Sequence, residues 1–156
     1  MIAELVEDEP MEFLDPSTCW QLLRATEVGR LAVPTPYGGV DIFPVNHLVD
    51  QGTIVFRTAL GSKLALATAA HEVAFEVDGD GATDDGTAWS VVVHGRAELI
   101  TGTNQIFDSF ELSVRPWHLS NKPYFVRVVP TSVTGRRFRI DPQRRNPEEE
   151  SPWSST

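Results

Sequence analysis

Two cations and two hydroxyls fall within seven residues of one another, at Arg57, Thr58, Ser62 and Lys63. A β-favouring run, Thr53-Ile54-Val55-Phe56, delivers the first pair. A turn through Gly61 delivers the second onto the helix-favouring stretch Leu64-Ala65-Leu66-Ala67. This combination suits a phosphate. Arginine offers a planar fork of donors and lysine a point charge. The first amides of a helix are unpaired donors at the positive end of its dipole. The plain alternative is a strand-turn-helix junction with solvated cations on it.

Other chemistry-bearing groups are sparser. Pro44-Val45-Asn46 lies on the strand before this motif. It reads either as an edge strand containing proline, or as a place where the broken ladder leaves backbone free to meet a flat heterocycle. Trp89 and Ser90 open a later strand, where a tryptophan is ordinarily a core or interface aromatic. Trp117 follows Arg115-Pro116 in a segment without periodicity and reads as the anchor of a surface loop. The histidines, His47, His71, His94 and His118, lack ligand spacing, and with Cys19 as the single cysteine a zinc site is not expected. Asp78, Asp80, Asp84 and Asp85 do not form a calcium loop, because Ala82 stands at a ligand position and the closing glutamate is missing. His47 and His94 are the candidates for acid-base work. Neither a GxSxG elbow, a GxGxxG fingerprint nor a Walker motif occurs.

Composition bounds the partners. The chain has 156 residues and a net charge of −9, so one domain is expected, without a general phosphate-neutralising face for nucleic acid. An anion site must then be local. A lone cysteine excludes an intramolecular disulfide framework. No apolar stretch reaches membrane-spanning length, and the start of the chain (Glu4, Glu7, Asp8, Glu9) is too acidic for a signal peptide. No membrane partner is therefore expected, and the cytoplasm is the expected location.

The elements that must position these groups are mostly strands. Residues 1–14 form an acidic N-terminal segment. Residues 15–141 form the folded domain, and residues 142–156, with Pro142, Pro147 and three successive glutamates, are expected to be disordered. Asp15-Pro16 is a helix start, a capping side chain followed by proline at the first helical position. Leu22, Leu23 and Ala25 are expected on its inward face, with Gly29 as the stop. Strands are expected at about 29–35, 40–49, 53–58, 72–78 and 87–100, and a last pair at 123–129 and 132–140, broken at Pro130. Helices are expected at about 61–70 and 103–113. Many strands joined by short turns, with helices interspersed, predict a mainly β split or closed barrel with flanking helices.

The order of the pieces adds a resemblance. Val28-Gly29-Arg30-Leu31-Ala32, Pro44-Val45-Asn46, Phe56-Arg57-Thr58 with Gly61-Ser62-Lys63, Val93-His94-Gly95-Arg96-Ala97 and Val133-Thr134-Gly135-Arg136-Arg137 occur in sequence. Together they resemble the FMN-binding split-barrel flavoproteins related to pyridoxamine 5′-phosphate oxidase, over about residues 16 to 140. The resemblance implies a homodimer with FMN at the subunit interface. Arg57, Thr58, Ser62 and Lys63 would hold the phosphate. Pro44, Val45 and Asn46 would lie along the isoalloxazine, and Ser90, beside Trp89, would reach its pyrimidine edge. Trp117 would approach the partner subunit's flavin.

The departures shape the functional expectation. Full pyridoxamine phosphate oxidases carry two adjacent basic residues where this chain has Lys63-Leu64, and they continue past the last strands with substrate-phosphate arginines and a tryptophan. The expectation is a flavin-dependent oxidoreductase acting on a small molecule other than vitamin B6 phosphate. The alternatives are an F420-dependent reductase of the same fold, and a flavin- or haem-binding carrier or sensor without catalysis.

Overall fold

A computed structural model describes residues 11–58, 72–80, 86–100 and 124–140. In chain order these residues form β1 (Glu12–Leu14), α1 (Pro16–Ala25), β2 (Val28–Pro34), β3 (Val40–Asp50), β4 (Thr53–Thr58), β5 (Val73–Asp80), β6 (Thr87–Ile100) and β7 (Tyr124–Arg139). The helices expected at 61–70 and 103–113, and the tail at 142–156, lie outside the described residues.

The strands form one seven-stranded sheet in the order β1-β7-β4-β3-β2-β5-β6, and β6 also pairs with β7. That last pairing closes β7, β4, β3, β2, β5 and β6 into a ring, and every pair in it is antiparallel. Alternation along each strand decides what faces inward. Leu31 and Val33, Val73, Phe75 and Val77, Val91 and Val93, Ile54 and Phe56, and Val126 and Val128 are buried in one cluster. Closure gives the sheet an inside and removes the exposed edges an open sheet would carry.

The helix begins where its capping chemistry places it. The Asp15 carboxylate accepts from the Thr18 amide at 2.7 Å, with proline in the first turn. Those hydrogen bonds hold the Asp15 carboxyl below the usual carboxylate range. Its buried residues are Cys19 and Leu23, with Leu22 packed partly against the core and Ala25 exposed. So Ala25 does not share the inward face, and Gly29 is not the stop: the helix ends at Ala25 and Gly29 sits inside β2. Gly29 is needed for another reason. A Cβ there would lie 2.1 Å from the Phe75 ring and 2.8 Å from the Glu76 carbonyl oxygen.

Two further differences from expectation have local causes. Glu12–Leu14, within the acidic segment, pair with Gly135, Arg136 and Arg137 of β7. And Pro130 does not divide the last strand. The β6–β7 register shifts between His94 and Gly95, leaving Thr131 as the extra residue of a bulge. The inward phase of β7 thereby changes from even (Val126, Val128) to odd (Gly135). Gly95 permits the close approach, since a Cβ would stand 2.4 Å from the Val129 carbonyl oxygen. The Thr131 hydroxyl donates to the His94 carbonyl at 3.2 Å. A proline is accommodated at the bulge that would not be accommodated in a regular central ladder.

Candidate functional site

The β3–β4 hairpin sets the register of the site. Gln51 and Gly52 both have positive φ, 46° and 72°, which the tight two-residue turn between Asp50 and Thr53 demands. Pairing then runs Asp50↔Thr53, Val49↔Ile54, Leu48↔Val55, His47↔Phe56. Asn46 and Arg57 are the next residues along the two strands, just past the last paired positions. Because His47 and Phe56 face the core, their neighbours Asn46 and Arg57 belong to the outer face. Pro44 is exposed on that same face. The Pro44–Asn46 stretch pairs with β2 through Arg30, Gly29 and Val28, while the pairing with β4 starts only at His47. The proline therefore lies where one edge of the strand carries no ladder among the described residues.

Arg57 is the chemical centre of this corner. It pairs across β4–β7 with Phe125, and its guanidinium carbon lies 5.4 Å from the centre of the Phe125 ring. Its Nε is buried without a hydrogen-bond partner among the described residues. No carboxylate of the described residues pairs with it, whereas two other strand arginines are neutralised. Arg127 donates to Asp50 at 3.0 Å and to Thr53 at 2.7 Å. Arg30 pairs with Glu76 at 3.3 Å and donates to Asp78. Burial and the neighbouring Asp78 push the Glu76 carboxyl up, against the pull of Arg30. A buried donor and an uncompensated cation fit an anionic ligand group such as a phosphate. Thr58 ends the same strand, and Ser62 and Lys63 lie outside the described residues, as does Trp117.

The remaining predicted residues divide. Val45 is buried in the core, so its side chain does not face the outer surface; its backbone is what that strand can offer. Trp89 also packs against the core, with its indole so close to Gly79 that a Cβ there would lie 2.7 Å from it. Ser90 has the opposite phase and faces out. It is opposite Asp78 on one side and Arg136 on the other. From Ser90 to the Asn46 position is three strand spacings, roughly 14 Å at ordinary sheet geometry. The fold thus joins Pro44, Asn46 and Arg57 in one corner and sets Ser90 apart, with the Arg30–Glu76–Asp78 cluster between them.

His47 is a core histidine. It is 4% exposed, packs edge-on against Phe75 at 4.8 Å, and its Nε2 lies 2.8 Å from the Leu23 carbonyl oxygen. A carbonyl only accepts, so Nε2 carries the proton and Nδ1 is a bare acceptor with no partner among the described residues. Burial lowers its pKa, against the pull of the Leu23 and Glu27 carbonyls. Its role is to tie α1 to β3. His94 is exposed on the outer face of β6 at the bulge. Cavities of about 250 Å³ at the β2–β3 hairpin, lined by Tyr37 and Phe43 among others, and of about 390 Å³ beside His94 and Arg96, include neither Asn46 nor Arg57. Phe125, the residue that sequence reasoning missed, has no local signal: its place under Arg57 exists only once β4 and β7 pair. No group of histidine, cysteine and acidic side chains among the described residues could hold a metal ion, and no helix among them is long and apolar enough to cross a membrane.

Comparison with known proteins places the arrangement. The family model described as pyridoxamine 5′-phosphate oxidase matches residues 15–137. An uncharacterised protein of Mycobacterium tuberculosis is 34% identical over 133 residues, 82% of this chain and 86% of that protein. Among solved structures, a Corynebacterium glutamicum protein with the provisional name pyridoxamine 5′-phosphate oxidase is 36% identical. It superposes with a TM-score of 0.69, over 86% of this chain and 98% of that one. An FAD-binding protein from Mycobacterium smegmatis is 34% identical with a TM-score of 0.67, over 82% of this chain and 98% of that one. The ring of antiparallel strands is the split barrel of these proteins, and the chain belongs to the pyridoxamine 5′-phosphate oxidase-like, flavin-binding family as one of its small members.

Proposed function

We propose that this protein binds FMN on the outer face of β3 and β4 and works as a flavin-dependent oxidoreductase on a small molecule in the cytoplasm. The observation that carries the reading is Arg57: a half-buried arginine that, among the described residues, has no hydrogen-bond partner at Nε and no carboxylate paired with it, on the strand next to Asn46. Arg57 and Lys63 would neutralise the phosphate, and Thr58 and Ser62 would donate to it. Asn46 and the free backbone around Pro44 would meet the polar edge of the ring, and Ser90 and Trp117 would approach from a second subunit. A bound flavin would supply the electron chemistry, leaving binding, orientation and electrostatics to the protein. Pyridoxine phosphate is not the substrate in this reading, since Leu64 stands where the full oxidases carry a second basic residue.

The similarity to an FAD-binding protein supports a flavin and makes FAD the ligand to compare. The test measures binding of FMN, FAD, F420 and riboflavin to the flavin-stripped protein. Arg57→Ala and Lys63→Ala should each cost about 2–4 kcal/mol in FMN binding, roughly a thirty- to thousand-fold loss. Riboflavin, without a phosphate, should bind as before. Unchanged FMN affinity in both folded variants would reduce the corner to a structural junction. Preference for F420 in the wild-type protein would replace the cofactor assignment.

A further inference from the structure

We infer that Phe125 is a positioning residue for Arg57, holding its guanidinium over the ring while leaving its charge for the ligand; this rests on the phosphate reading above. Phe125 is 8% exposed, yet it does not belong to the barrel interior. Its neighbour Val126 faces the core, so Phe125 faces out, where it clusters with Val55, Leu48 and Ile100. The β4–β7 register sets it directly opposite Arg57, at a separation where cross-strand side chains touch. Its ring centre then lies 5.4 Å from the guanidinium carbon.

The choice of partner matters chemically. Arg30 and Arg127 are held by carboxylates, which fix them but consume their N–H donors and cancel their charge. An aromatic face attracts the cation through its quadrupole and uses none of the in-plane donors. Among the described residues Arg57 is therefore held by a ring without being neutralised, which leaves its charge for an anion. A dianionic phosphate gains most from this, because a preorganised donor set loses less freedom on binding.

Binding of FMN and riboflavin to the Phe125→Leu protein tests this. Leucine keeps the apolar packing against Val55, Leu48 and Ile100 and removes the ring face. Loss of a cation–aromatic contact should weaken FMN roughly two- to thirty-fold and leave riboflavin unchanged. Phe125→Tyr, which keeps the face, should bind FMN as the wild type does. In an Arg57→Ala background, Phe125→Leu should have no further effect. Phe125→Met repeats the measurement if leucine leaves the cluster loosely packed. If Arg57→Ala weakens FMN but Phe125→Leu does not, the inference fails and the phosphate reading stands. Equal weakening of both ligands by Phe125→Leu also overturns it, since that is the mark of general packing. If Arg57→Ala itself leaves FMN binding intact, the phosphate reading fails first and the inference falls with it.

Discussion

Stability should fall with acid through one identifiable side chain. His47 is almost fully buried, donates from Nε2 to the Leu23 carbonyl and has no hydrogen-bond partner at Nδ1 among the described residues. A proton added to Nδ1 would place a charge inside the barrel, and burial outweighs the pull of the Leu23 and Glu27 carbonyls, so the folded-state pKa lies below the ordinary histidine value of 6.5. Above that value both states hold the ring neutral, and its contribution is complete. As pH falls below it, the unfolded chain takes up the proton first and folding loses free energy, until the folded-state pKa is reached. If the folded state stays neutral throughout, going from pH 7.5 to 5.5 costs at most about 1.4 kcal/mol, or roughly 3–6 °C in Tm for a domain of this size. Urea unfolding of the wild type and His47→Gln at the two pH values isolates the effect, because other titrating groups cancel in the difference. Glutamine can still donate to Leu23 and does not titrate. Glu76, whose carboxyl is raised, acts in the opposite sense at lower pH and is common to both proteins. The expected result is a smaller acid-induced loss in the variant, by up to the 1.4 kcal/mol above. Identical losses in the two proteins would refute the buried neutral histidine.

Two other outcomes can be checked with simple variants and instruments. Gly29→Ala should destabilise by about 3 kcal/mol or more, since the new methyl meets both the Phe75 ring and the Glu76 carbonyl oxygen. Gly39→Ala, whose nearest contact is the Thr35 hydroxyl at 3.3 Å, should stay within about 0.5 kcal/mol, and thermal melts that rank the two the other way would contradict the packing described. The shared-site reading requires a dimer at micromolar concentration. Light scattering that gives a monomer mass with flavin still bound would confine the site to one subunit.

Several features were legible in the sequence because their causes are local. Asp15-Pro16 carries its own capping chemistry, and Gln51-Gly52 carries the positive φ that its hairpin needs. The alternating apolar runs of β2 and β5 fix strand and inward face together, because a period of two admits one buried side. The family, too, was readable from five short motifs in order. What the sequence left open depends on pairing between distant segments. Pro130 looked like a break because the bulge that absorbs it requires Gly95, some 35 positions earlier, to let β6 close on β7. Which face Val45 and Trp89 take is decided by the phase of their strands, which packs Val45 in the core and Trp89 against it and leaves Asn46 and Ser90 on the outer face. Arg57 was visible as a cation, but not as one held by a ring rather than by a carboxylate. That distinction arises from the β4–β7 register, which brings residues 57 and 125 together by closing the barrel.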